Sequence, residues 1–225
     1  MNIFENLRLW VDPIERPGPE AMAVDEWLLE STATPVLRVY RWLGNWGSVG
    51  YFGAIGEAKA AFPGVAWVRR WTGGGTVDHR TDWTYTVVVP AHEALAKCRG
   101  AASYRILHAA LAATLVAEGI NVRLSTGADA TGGNLCFENP VSYDLVGPAG
   151  RKLAGAGQRR TRSGLLHQGS VAVPAADTAF FAHRAEGLAG RMASQWQAME
   201  FEPPADVIAR KIAERYGRQA WTGRR

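Results

Sequence analysis

Cysteine is scarce in this chain of 225 residues, which carries only Cys98 and Cys136. Two thiols build neither a disulfide framework nor a cysteine-based zinc site. The five histidines, at positions 79, 92, 108, 167 and 183, show no metal-ligand spacing such as a pair on one helical face. Long apolar runs are missing too: the longest candidate, residues 109–117, is alanine-rich and too short to span a bilayer. The opening Met1-Asn2-Ile3-Phe4-Glu5-Asn6 lacks the basic start and apolar core of a secretory leader. No charge block, Pro/Ser linker or internal repeat divides the chain. These absences lead to the expectation of a cytoplasmic, metal-free protein with no membrane partner.

The composition that remains is ordinary globular, 47% hydrophobic and 20% charged. The length suffices for a full core, so a single domain over residues 1–225 is expected. Net charge is +4, and Arg151, Lys152, Arg159, Arg160 and Arg162 form the densest basic cluster. That balance suits an anionic ligand or an acidic protein partner. Without aromatic residues interleaved among the basic ones, nucleic acid is not an expected partner.

Periodicity predicts a helix over 19–31, with Pro19 near its start, and a long helix over 103–118 stopped by Gly119. A final helix is predicted over 206–216. Strands are predicted over 36–42, 65–68 and 83–89, the last ended by Pro90, and then near 122–124 and over 142–146, 152–156 and 165–173. A glycine-studded loop holding Gly44, Gly47, Gly50 and Gly53 separates the first two strands, and a small-residue loop covers 125–134. The order of elements gives an α+β (mixed α/β) domain.

Three places carry chemistry. Strand 65–68 runs into Arg69-Arg70-Trp71-Thr72-Gly73-Gly74-Gly75-Thr76-Val77-Asp78-His79. Three glycines let the backbone turn sharply and approach a ligand, and two guanidinium forks beside them favour a carboxylate or phosphate. The alternative is a hairpin turn with exposed arginines. Downstream, Gly150-Arg151-Lys152-Leu153-Ala154-Gly155-Ala156-Gly157-Gln158 places a lysine on a strand beside small residues. That leaves room for a substrate at Gly155 and Gly157, or else Lys152 snorkels at the surface. In Gly164-Leu165-Leu166-His167-Gln168-Gly169-Ser170 the alternation allows His167 to point out of the core, the alternative being a satisfied structural histidine. Cys136 sits in a loop ahead of Lys152 and is a candidate nucleophile, because a nearby ammonium raises the thiolate fraction. The alternative, a small buried hydrophobe, is accepted for Cys98.

Taken together, these segments resemble the lipoate–protein ligase and octanoyltransferase family, whose catalytic domain is shared with biotin–protein ligases. Its Arg-Arg-x-Ser/Thr-Gly-Gly-Gly-x-Val-x-His motif resembles Arg69 through His79. Its Gly-x-Lys-[Ile/Leu]-x-Gly-x-Ala/Gly-Gln motif resembles Gly150 through Gln158, and its His-[His/Gln]-Gly-[Ser/Thr] motif resembles His167 through Ser170. Met22-Ala23-Val24-Asp25-Glu26 is similar to its Met-x-x-Asp-Glu helix, and the matches come in the family's order.

The resemblance implies a mixed β-sheet flanked by helices, with no accessory C-terminal domain in this chain. It implies an acyl pocket lined by Arg69, Arg70, Thr72, Gly73, Gly74, Gly75, His79, Asp144, Gly155, Ala156 and His167, with Cys136 and Lys152 as the catalytic pair. Cys136 lies in Cys-Phe-x-x-Pro-x-x-Tyr-Asp-Leu, similar to one cysteine-lysine branch of octanoyltransferases. The implied reaction takes an octanoyl or lipoyl group from acyl carrier protein, through a Cys136 thioester, to a lysine of a lipoyl carrier domain. Glycine cleavage H protein and dehydrogenase E2 are the implied acceptors. This route needs no cofactor. An ATP- and Mg²⁺-dependent lipoate ligase is the alternative, and a non-catalytic acyl-binding module on the same fold is a third reading.

Overall fold

The computed structural model describes residues 2–129, 140–173 and 178–224. These residues form eleven strands and seven α-helices, in the order β1 (Phe4–Val11), α1 (Gly18–Ser31), β2 (Val36–Tyr40), β3 (Trp46–Val49), α2 (Ile55–Ala61), β4 (Ala66–Arg69), β5 (Thr76–Asp78), β6 (Trp83–Pro90), α3 (Ala94–Lys97), α4 (Gly100–Ala117), β7 (Arg123–Leu124), β8 (Leu145–Val146), β9 (Lys152–Arg160), β10 (Gly164–Val171), α5 (Thr178–Met192), β11 (Ala193–Ala198), α6 (Ala205–Lys211) and α7 (Gln219–Thr222). A π-helical turn, Ile212–Tyr216, continues α6.

Eight strands form one mixed sheet in the order β11-β1-β2-β6-β10-β9-β8-β7, and β4-β3-β5 form a small second sheet. In the large sheet β11, β1 and β2 run parallel, while β2 through β7 alternate in direction. The period-two rule of a strand then decides which layer each side chain joins. On β6, Trp83, Tyr85, Val87 and Val89 pack with Leu107, Leu111 and Leu115 of α4 and Leu188 of α5. Val88 faces the other way, with Leu166, onto Met22, Leu28 and Leu29 of α1. Helix α4 is long and apolar enough by composition to cross a membrane, although the sequence pointed only to residues 109–117. Here it is a core helix whose Leu107, Leu111 and Leu115 are fully buried.

A charge cluster lies between α1 and the sheet. Arg38, fully buried, bridges Asp25 of α1 at 2.6 Å and Asp12 at 2.7 Å. Asp25 also accepts hydrogen bonds from Thr86 and Tyr40. A buried guanidinium survives only when its donors are matched in this way. The arrangement fixes α1 against the sheet and brings Met22 to the edge of the site.

The glycine-studded segment is not wholly a loop, because Trp46–Val49 is the central strand of the small sheet, pairing with β4 and β5. Gly47 permits this: a Cβ there would lie 2.4 Å from the Trp67 ring.

Candidate functional site

The pocket opens where the two sheets meet. It is narrow, with about 20 Å³ of space open to solvent, and is lined from both sheets, α1 and the loop after β4. Tyr40, Trp42, Met22 and Val77 give it apolar walls, and the backbone of Gly155, Ala156 and Gly157 forms one side. Of the residues expected to line an acyl pocket, Arg70, His79, Gly155 and Ala156 do so.

The arginine pair divides its labour differently from the expectation of two guanidinium forks facing an anion. Arg69 does not line the pocket. Its guanidinium donates to the backbone carbonyls of Gly50, Tyr51, Gly53, Trp221, Thr222 and Arg224, and its own carbonyl accepts from the Trp221 indole at 2.9 Å. Alternation explains it: the pairing with β3 continues one residue past β4, where the Arg70 N–H donates to the Val49 carbonyl, so adjacent residues point to opposite faces and only one of the two arginines reaches the pocket. Arg70 does, and it donates to the Ser48 hydroxyl at 2.8 Å and to the carbonyls of Gly73 and Gly75 at 3.0 and 2.7 Å. It staples the glycine loop.

Thr72, Gly73, Gly74 and Gly75 stand behind the pocket wall. Thr72 is fully buried and donates to Gln168 at 2.8 Å, while Gln168 donates to Asp25 at 2.7 Å. The glycines serve backbone-to-backbone packing. A Cβ on Gly157 would meet the Gly73 carbonyl at 2.3 Å, and one on Gly50 would meet the Gly74 carbonyl at 1.9 Å. Gly74 itself has φ +91°, a conformation that favours glycine.

His79 stacks on Trp42 with ring centroids 4.1 Å apart. Its Nδ1 lies 2.7 Å from the Asp82 carboxylate and its Nε2 lies 2.7 Å from the Ser48 hydroxyl. With both ring nitrogens engaged, the imidazole is fixed at the pocket wall. Ser48, Gln168 and Ser170 also line the pocket, beyond the residues expected there, and Asp82 stands behind His79. Gln168 and Ser170 belong to the same motif as His167 and share the opposite face of β10.

His167 is a correction. It does not point out of the core toward the pocket but onto the α4 side, fully buried, accepting from Gln158 at 3.1 Å and donating to the Tyr85 hydroxyl at 3.1 Å. Burial, with His108 nearby, pushes its pKa well below the usual histidine range. The pocket face of β10 belongs instead to Gln168 and Ser170.

Lys152 does not snorkel. It is buried, and its Nζ lies 2.7 Å from Asp144 Oδ2. The lysine stem runs against the pocket wall: a Cβ on Gly155 would lie 2.6 Å from Lys152 Cε and 2.7 Å from Nζ. Only glycine leaves room for the ammonium at that point. Cys136 lies outside the described residues.

The family description "Lipoyl protein ligase A/B catalytic domain" matches residues 17–197. The octanoyltransferase LipM of Symbiobacterium thermophilum is 35% identical over 182 residues, covering 74% of this chain and 65% of that protein. LipM of Oceanobacillus iheyensis is 34% identical over 161 residues, covering 67% of this chain and 58% of that protein. The chain thus spans less than two thirds of the length of these relatives. A crystal structure of lipoate-protein ligase A bound with ATP has a TM-score of 0.74 at 19% identity, covering 98% of this chain and 99% of that one, which is a likeness of fold.

Proposed function

Because the chain belongs to the lipoyl protein ligase A/B catalytic-domain family, we propose that it is an octanoyltransferase of protein lipoylation. It takes an octanoyl (or lipoyl) group from acyl carrier protein to a lysine of a lipoyl carrier domain, such as glycine cleavage H protein or a dehydrogenase E2. The observation that carries this reading is the buried Lys152–Asp144 pair, 2.7 Å apart, lying against the Gly155 wall of an apolar-sided pocket. An acyl chain suits the apolar walls, and a fixed ammonium in a water-poor site stabilises charge developing on the acyl oxygen. The similarity to LipM proteins supports the same reading.

The proposed route has two steps. The Cys136 thiol gives up its proton, and the thiolate attacks the thioester carbonyl carbon. The bond to the carrier sulfur breaks, and that sulfur leaves as the thiol with the proton. The ε-amine of the acceptor lysine then attacks the acyl-enzyme, an amide forms, and Cys136 leaves, the amine's surplus proton restoring its thiol. Lys152 stabilises the Cys136 thiolate and polarises the carbonyl in both steps. A thioester is already activated, so this route requires neither ATP nor Mg²⁺, whereas a ligase starting from a free acid must first form an acyl-adenylate. Incubating the protein with octanoyl carrier protein is expected to give an octanoylated enzyme by intact-mass spectrometry, and Cys136→Ser is expected to give none. Normal transfer by that variant overturns the covalent route.

A further inference from the structure

Two side chains outside every sequence motif stand behind Lys152. Tyr104 and His108 are four residues apart on α4, hence on one helical face, with ring centroids 4.1 Å apart. The Tyr104 hydroxyl donates to Asp144 Oδ1 and accepts from the Ala156 N–H at 2.9 Å. Strand β8 pairs with β9 only at Lys152 and Ala154, so beyond it this edge of β9, the one opposite β10, has no strand neighbour among the described residues. The tyrosine hydroxyl takes that place at Ala156, a pocket-lining residue, while holding the carboxylate that faces Lys152. Asp144 is therefore gripped at both oxygens, since Oδ2 meets Lys152 Nζ at 2.7 Å and accepts the Val141 N–H at 2.8 Å.

His108 secures the backbone just before the carboxylate. Tyr143 has φ +74°, a region that side-chain-bearing residues rarely adopt and that persists when its surroundings hold it. The Tyr143 carbonyl accepts a hydrogen bond from His108 Nδ1 at 2.6 Å. That bond places the single proton of a neutral imidazole on Nδ1. Burial lowers the His108 pKa to about 4, which keeps the ring neutral, and its Nε2 has no hydrogen-bond partner among the described residues.

We propose that Tyr104 and His108 are the positioning residues for Lys152, acting through Asp144: the tyrosine orients the carboxylate, and the histidine holds the left-handed turn that presents it. Their importance for acyl transfer rests on the function proposed above, but the positioning itself is readable without activity. Lys152 reactivity is measured by acetic anhydride labelling and peptide mass spectrometry in the wild type, Tyr104→Phe, Asp144→Asn and the double variant. Tyr104→Phe keeps the ring and removes only the hydroxyl. A hydrogen bond to a charged group is worth about tenfold or more in an equilibrium, so each single variant is expected to raise Lys152 labelling by about that factor. The double variant is expected to match Asp144→Asn alone, because both changes act at one carboxylate. His108→Gln, which keeps a donor for the Tyr143 carbonyl, is expected to label like the wild type, and His108→Ala to label faster. In steady-state assays Tyr104→Phe is expected to lower kcat about tenfold with the KM for octanoyl carrier protein unchanged. Wild-type labelling in Tyr104→Phe, or single effects that multiply in the double variant, overturns the proposal. If the wild type itself transfers no octanoate, the functional reading fails, and the labelling still decides the positioning.

Discussion

Acidification should destabilise this protein through His108, and the size of the effect follows from its surroundings. The imidazole is fully buried, and desolvation lowers its pKa to about 4 from an ordinary value of 6.5. Between those values the unfolded chain binds a proton that the folded chain refuses. Stability therefore falls as pH drops through this window, by about 1.4 kcal/mol per pH unit, and levels off below the folded value. The gap amounts to about 3 kcal/mol at pH 4 relative to pH 7, a large share of a typical domain's stability. His167, also buried and lowered, adds in the same direction. Carboxylates contribute to acid unfolding as well, so the His108 share is isolated by comparison with His108→Gln, which cannot titrate. Urea unfolding of both proteins at half-unit steps from pH 7 to 4.5 is the assay. The difference in unfolding free energy between the two should change steadily across that range, the wild type losing more. A constant difference refutes the reasoning, because it means that His108 titrates alike in the folded and unfolded chains.

Other perturbations test other parts of the account. Arg38→Met leaves Asp25 buried without its cation, so a loss of about 3–5 kcal/mol is expected in chemical denaturation, and a loss below about 1 kcal/mol contradicts the cluster's role. Gly157→Ala puts a Cβ 2.3 Å from the Gly73 carbonyl and must displace the glycine loop. Acyl transfer is expected to fall about a hundredfold while the far-ultraviolet circular dichroism stays native, and unchanged transfer removes the loop from the site.

The motifs of this chain lay open in the sequence, but the direction of their side chains did not. The Arg69-Arg70 pair announces a site, yet only the alternation at the end of β4 sends Arg70 to the pocket and Arg69 to six backbone carbonyls. The same rule turns His167 to the α4 side and gives the pocket to Gln168 and Ser170. A strand's faces are decided by which layer lies on each side, and that is tertiary information. Local pattern does not reveal strands Phe4–Val11 and Ala193–Ala198, whose partners are each other and β2, far apart in sequence. Tyr104 and His108 belong to the predicted long helix, but their partners, at Tyr143, Asp144 and Ala156, are 35 to 52 residues away along the chain. Local patterning finds such a helix without revealing what its polar residues hold.

The central claim is that a thioester donor is used directly. The protein is mixed with octanoyl carrier protein and an apo lipoyl domain, without nucleotide, and in parallel with free octanoate, ATP and Mg²⁺. Octanoylation of the lipoyl domain is followed by intact mass. Modification is expected in the first mixture, abolished by Cys136→Ser and Lys152→Ala, and none in the second. Modification only in the ATP-containing mixture contradicts it in favour of a ligase, and modification in neither leaves a binding protein.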